Sequence, residues 1–148
     1  MEIPFMVVCD HAHKHRGLLT CAGIRKRIMV PELPWTHPSL FVAWETTLDH
    51  AEFLDGVTSE FEFQLTIQDE DGKKILELRR KTRMQGSVRA GQKGSQFEVL
   101  GLAGLVFRRP CTHTFVIRVN GQVKAEEAID VMLSEPKRGT RGEGEGDG

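Results

Sequence analysis

Apolar and polar residues alternate with a period of two through most of the chain. In SEFEFQLTIQ, Phe61, Phe63, Leu65 and Ile67 share one parity, and Glu60, Glu62, Gln64, Thr66 and Gln68 share the other. That is the pattern of a strand with one dry face and one wet face. The run stops at Asp71-Gly72, where glycine can take the positive φ of a tight turn. KKILELRRKT then resumes with Leu76 and Leu78 on one parity, so the segment predicts a hairpin. THTFVIRVNGQVKAEEAIDVML predicts another. Phe115, Ile117 and Val119 lead into Asn120-Gly121, the residue pair of a type I′ turn, and Val123, Ala125, Ile129, Val131 and Leu133 continue on the return strand.

Other segments extend the pattern. SLFVAWETTL places Leu40, Val42, Trp44 and Leu48 on one parity, and FEVLGLAGLVF is a further extended run in which Gly101 and Gly104 suggest a bulge. At the N-terminus IPFMVVC and LLTCAGIRKRIMV predict a hairpin around the polar turn DHAHKHRG, closed by Pro31 and Pro34 and a crossing loop at PELPWTHP. Only DHAEFLDG offers a turn or two of helix, and MQGSVRAGQKGSQ reads as a connection. The fold expected is all-β: a single antiparallel β-sandwich of seven or eight strands, immunoglobulin-like or C2-like, over residues 1–133. The glycine- and charge-rich SEPKRGTRGEGEGDG, residues 134–148, lacks apolar side chains and predicts a disordered tail.

Composition narrows the function classes. A chain of 148 residues suits one domain with its own core. No apolar run approaches the ~20 residues of a membrane helix, and the acidic N-terminus lacks the basic start of a signal peptide. Cys9, Cys21 and Cys111 form an odd set without framework spacing, which suits free thiols in a reducing, cytoplasmic setting. The formal net charge of −1 gives no global field for nucleic acid or anionic lipid. Locally, charge is segregated. Glu45 to Asp71 holds nine acidic residues and no Lys or Arg, while Lys73 to Lys93 holds eight basic residues against Glu77 alone. If the two segments pair as neighbouring strands, opposite charges meet across the sheet.

Several of these features together resemble a known family: a first strand closing on Cys9-Asp10, a polar loop with Gly17, a second strand through Ala22-Gly23-Ile24 into Arg27-Ile28, and the Asp71-Gly72 hairpin. They are similar to an uncharacterised family of small bacterial β-rich proteins, a domain of unknown function whose first strand usually ends on a "CD" pair. The similarity spans most of residues 3 to 133. It implies a bacterial origin, an all-β domain and no established activity, and it assigns no functional residues. The loop after "CD" in that family is not histidine-rich, so His11, His13 and His15 are peculiar to this chain.

CDHAHKH is the stretch that most suggests chemistry. Were the first strand to run on through position 15, Cys9, His11, His13 and His15 would project from one face, and thiolate with neutral imidazole is a zinc donor set. A further Cys-x-His pair stands at Cys111 and His113, so a Cys2His2 site drawn from Cys9, His11, His13, Cys111 and His113 is one reading. The spacing matches no usual zinc pattern, and Lys14 and Arg16 oppose a divalent cation. The preferred reading makes Cys9 a core residue, Asp10 a turn cap and the histidines solvated.

No thiol or serine sits in a nucleophile signature, and phosphate loops and dinucleotide fingerprints are missing. The acidic groups at Asp69, Glu70 and Asp71 read as a solvated turn before they read as a calcium loop. The basic run Arg79, Arg80, Lys81, Arg83, Arg89 and Lys93 has no interleaved aromatic for base stacking and reads as a solvated edge. Trp35 is the candidate exposed anchor for a partner, or else a lid over one end of the sandwich. The functional expectation is a non-catalytic binding or assembly module without a cofactor, whose partner is another protein and neither nucleic acid nor membrane. The alternative is a zinc-binding protein or metal-dependent enzyme using the Cys-x-His pairs.

Overall fold

The computed structural model describes residues 1–52, 59–84 and 91–135. Nine strands run in chain order: β1 (Glu2–His15), β2 (Leu18–Ile24), β3 (Arg27–Val30), β4 (Trp35–Asp49), β5 (Ser59–Gln68), β6 (Lys74–Met84), β7 (Lys93–Phe107), β8 (Thr112–Val119) and β9 (Gln122–Leu133). They form a four-stranded sheet in the order β2-β1-β4-β7 and a five-stranded sheet in the order β3-β9-β8-β5-β6. β3 runs parallel to β9, and every other pair is antiparallel.

The period-two pattern becomes the layering directly. Leu40, Val42, Trp44 and Leu48 of β4 face Phe63, Leu65 and Ile67 of β5 and Phe115, Ile117 and Val119 of β8 in one core. Trp44 and Phe63 meet across the layer with ring centroids 5.8 Å apart. The opposite parity of β4, Phe41 and Ala43, lies on the outer face of the first sheet. There Val7, Cys9, Ala12, Leu19, Cys21 and Val99 make a second, smaller apolar cluster with it.

The sandwich has one strand more than the upper expectation because LLTCAGIRKRIMV is not a single strand. Arg25 N–H donates to Val8 C=O at 2.8 Å in the first sheet, and Lys26 C=O accepts from Asp130 N–H at 3.0 Å in the second. The chain therefore changes sheets between two adjacent residues. The first hairpin also departs from expectation. β1 runs on to His15, and the turn is only Arg16 (φ 52) and Gly17 (φ 75). CDHAHKH is thus strand and not turn. Its outer positions alternate between histidine and small or charged residues, which leaves no apolar period to read.

Asn120 (φ 48) and Gly121 (φ 86) take the two positive φ values of the expected type I′ turn. The β5–β6 hairpin is held by Asp69, whose Oδ1 accepts the N–H groups of Asp71 and Lys73 at 2.9 and 3.0 Å. A bulge between Ile117 and Arg118 shifts the β8–β9 register, and Val123, expected inside, is 49% exposed. Arg79 with Glu62, and Lys81 and Arg83 with Glu60, realise the charge pairing expected between the acidic and basic segments. The short helix is a 3-10 turn at His50–Glu52. Residues 53–58, 85–90 and the tail from 136 lie outside the described residues, and β7 already begins at Lys93 within the expected connection.

Candidate functional site

β6 and β7 are the last strands of their sheets, each with one neighbour: β5 for β6, β4 for β7. Their free edges lie one above the other, and between them the sandwich is not filled. The register Leu65↔Leu78, Ile67↔Leu76 and Phe63↔Arg80 turns Leu76, Leu78 and Arg80 toward the interior. From β7, the register Leu40↔Leu102, Val42↔Leu100 and Trp44↔Glu98 turns Leu102, Leu100 and Glu98 toward them.

At one end the two edges are tied. The Glu98 side chain is only 2% exposed, and it stands 3.6 Å from Arg80 Nη2. Its other oxygen accepts from Gln96 Nε2 at 2.7 Å. At the other end the layers diverge around a cavity of about 480 Å3, walled by Ile75, Leu76 and Leu78 on one side and Leu102, Leu105 and Val106 on the other. Beyond Leu78 lies a second cavity of about 220 Å3, lined by Trp44, Phe63, Leu100 and Arg80 among others. Leu78 lines both and is 37% exposed, so it separates two compartments of one seam. The indole N–H of Trp44 is buried without a hydrogen-bond partner, as is the neighbouring Thr46 hydroxyl. The Trp44 ring forms part of the wall of the smaller cavity, while its N–H lies beneath the accessible surface, and an unmet buried donor is costly.

The mouth of the larger cavity is polar. His113 is buried, its Nδ1 is 2.9 Å from the Cys111 carbonyl, and its ring packs edge-on against Phe107 at 5.1 Å. Burial pushes its pKa below the ordinary imidazole value, against the opposing pull of the Cys111 carbonyl and Asp69. Facing a carbonyl, which can only accept, Nδ1 is the donor. Burial acts to raise the Asp69 pKa, but the Lys73 and Asp71 N–H groups and Arg109 outweigh it and hold the carboxyl below its usual range. Arg109 bridges Asp69, at 3.6 Å, and Asp71. Lys73 and Arg108 also line this cavity, and among the described residues neither forms an ion pair. The seam is therefore apolar inside, cationic at its mouth and flanked by two strand edges.

The candidate metal ligands and the candidate anchor singled out in the sequence lie elsewhere, with one exception. Cys9 is fully buried in the cluster outside the first sheet, whereas His113 points inward from the second. A whole sheet and the interlayer of ~10 Å stand between them, while zinc–ligand bonds are about 2.0–2.3 Å long. The five-residue set Cys9, His11, His13, Cys111 and His113 is thus not one site, because the two Cys-x-His pairs are on different sheets and not on adjacent strands. Among the described residues no group of three or more His, Cys, Asp or Glu side chains is placed to hold a metal ion. His11 and His13, exposed, flank Ala12, which packs in the cluster with Cys9. Their rings stand 5.4 Å apart, and His11 meets Phe41 edge-on at 5.2 Å.

Asp10 does not cap a turn. Its two oxygens each accept from the Arg25 guanidinium at 2.8 Å. Gly23 (φ 69) leaves the room for it, since a Cβ there would come within 2.5 Å of Asp10 Oδ2. Trp35 is half-buried, packs on the main core and donates its indole N–H to His37 Nδ1 at 3.3 Å. It is thus partly buried against the core. His113 is the exception, because it lines the larger cavity.

Sequence reasoning missed Trp44, Arg80 and Glu98 as a group. A glutamate and an arginine on inward parities of two strands were a readable signal, but which strands end their sheets was not.

Comparison with known proteins places the chain by its family. A model of a family of unknown function, DUF6941, matches residues 4–132. The chain belongs to that family, a class of all-β proteins to which no activity is attached. No curated protein matches it. Among solved structures it is similar to a glycosyl hydrolase family 2 member from Bacteroides cellulosilyticus DSM 14838, at 17% identity with a TM-score of 0.37, covering 66% of this chain and 13% of that one. It is also similar to a β-glucuronidase of glycoside hydrolase family 2, at 15% identity with a TM-score of 0.36, covering 74% of this chain and 13% of that one. The chain spans about an eighth of the length of those two enzymes. No helix among the described residues is long and apolar enough to cross a membrane.

Proposed function

We propose that the protein is a non-catalytic binding module of the bacterial cytoplasm whose partner is another protein, engaged along the seam between β6 and β7. One observation carries the reading. Two strand edges without a neighbour among the described residues flank a gap that is apolar within and lined also by Lys73 and Arg108, which form no ion pair among those residues. Concave, largely apolar sites with a few convergent polar groups are where ligands bind, and about 480 Å3 falls in their usual range of roughly 300–1,000 Å3. The three free cysteines support a reducing compartment.

The test is co-purification from the source organism with the unaltered chain, and with Leu100→Arg and Leu78→Glu variants that fill the seam from either edge. A partner retained by the unaltered chain and lost by both folded variants supports the reading. A partner that both variants keep, or the failure of the unaltered chain to retain any protein above background, refutes it.

A further inference from the structure

The seam also bears on the form in which a partner enters it. The free edge of β6 runs from Lys74 to Met84 with its register shift confined to its start, between the pairs Ile67↔Leu76 and Gln68↔Lys74, whereas β7 is broken within its length by Gly104 at φ 71. An edge of this length offers a row of unpaired N–H and C=O groups to any extended chain laid beside it. Side chains on one face of a strand recur every two residues, roughly 6.6–7 Å apart. The two cavities lie on either side of a single inward residue, Leu78, so neighbouring inward side chains of an added strand would fall one into each. The Trp44 ring forms part of the wall of the smaller cavity, so its indole signal reports on what enters there.

Charge selects among extended chains. β6 carries Lys74, Arg79, Arg80, Lys81 and Arg83 against Glu77. These five cations share four carboxylates, Lys74 and Arg79 with Glu77, Arg79 also with Glu62, Arg80 with Glu98, and Lys81 and Arg83 with Glu60, while Lys73 and Arg108 at the wide end form no ion pair among the described residues. Such an edge repels a second copy of itself, which is how natural sheets avoid edge-to-edge growth. It attracts a strand with carboxylates opposite the cations.

We infer that the partner contributes an extended acidic segment that adds to the free edge of β6 as a further strand, with its alternate apolar side chains in the two cavities. The inference rests on the seam being the binding surface.

The test uses the full chain and three acetylated, amidated nine-residue peptides. One alternates leucine with glutamate. A second carries lysine for glutamate. A third carries proline at two central positions, so that it cannot pair along its length. Titration calorimetry measures affinity, hydrogen exchange reads the β6 amides, and proton NMR reads the Trp44 indole, assigned with Trp35→Phe.

The acidic alternating peptide is expected to bind at least about tenfold more tightly than either control, a difference of roughly 1.4 kcal/mol. It should slow exchange along β6 and move the Trp44 N–H signal. Equal binding of the proline peptide, or a Trp44 response without β6 protection, overturns strand addition and leaves the seam as a cavity for a compact ligand. Absence of binding by the acidic peptide up to about 1 mM, which corresponds to roughly −4 kcal/mol, also overturns it. In both cases the binding-surface reading is judged separately, by whether the Leu100→Arg and Leu78→Glu variants lose the co-purified protein. Slowed exchange at β6 in the free chain that is relieved by the acidic peptide would show the chain's own acidic C-terminal residues on that edge, and would overturn the assignment to another protein.

Discussion

Gly23→Ala is expected to destabilise the protein through Asp10. At φ 69 an L-residue loses about 1–2 kcal/mol relative to glycine. The new Cβ would also stand 2.5 Å from Asp10 Oδ2 and 2.9 Å from its Cγ, so the carboxylate must leave its position. With it goes the bidentate contact to Arg25, two bonds of 2.8 Å between side chains that are each nearly half exposed. At that exposure the pair contributes roughly 0.2–1 kcal/mol. The total is about 1–3 kcal/mol.

The decisive measurement is a double-mutant cycle by urea unfolding. In an Asp10→Ala background the two closest contacts vanish and no ion pair is left to lose, so Gly23→Ala should cost only the conformational part, about 1–2 kcal/mol. A coupling of roughly 1 kcal/mol is therefore expected. Equal cost of Gly23→Ala in both backgrounds would refute the idea that this glycine exists to seat Asp10.

Arg80→Ala should cost roughly 1–3 kcal/mol by leaving the buried Glu98 carboxylate without its cation. Glu98→Gln in that background should restore much of the loss in urea melts; no recovery would show that Arg80 acts by packing alone. Stability should fall as pH drops below the ordinary histidine value of about 6.5, because burial depresses the pKa values of both His37 and His113. Each is neutral when folded and takes up its proton more readily when unfolded, so its contribution is complete above that value and is lost through its lowered folded pKa. The double variant His37→Gln, His113→Gln should flatten the urea midpoint between about pH 7.5 and 5.5; an unchanged slope would disprove the assignment. The Cys9 thiol, pushed up to about 11 by burial and by neighbouring Cys21, should resist an alkylating reagent at neutral pH until the protein unfolds. Mass spectrometry of the native protein showing Cys9 modified before Cys21 and Cys111 would contradict this.

The strands were legible wherever one face is buried. Phe61 to Ile67, Leu40 to Leu48 and Phe115 to Val119 carry a period-two signal because each must put alternate side chains into one core. The Asn120-Gly121 turn was legible because few residue pairs accept two positive φ values. The segment Asp10 to His15 was not, because an edge hairpin pairs through its backbone, and backbone pairing leaves no mark on side-chain hydropathy.

Two further things lay beyond the chain's local pattern. The first is the change of sheet at Arg25 and Lys26, which depends on Val8 and Asp130 being at hand in two different layers. The second is the seam itself. Leu76, Leu78, Arg80, Glu98 and Leu102 each sit on a readable inward parity, but a site arises only because β6 and β7 end their sheets on the same side. Local sequence sets which face of a strand is dry through nearest-neighbour alternation. Strand order is set by which distant edges find partners, and the gap where two find none exists only in the assembled sandwich.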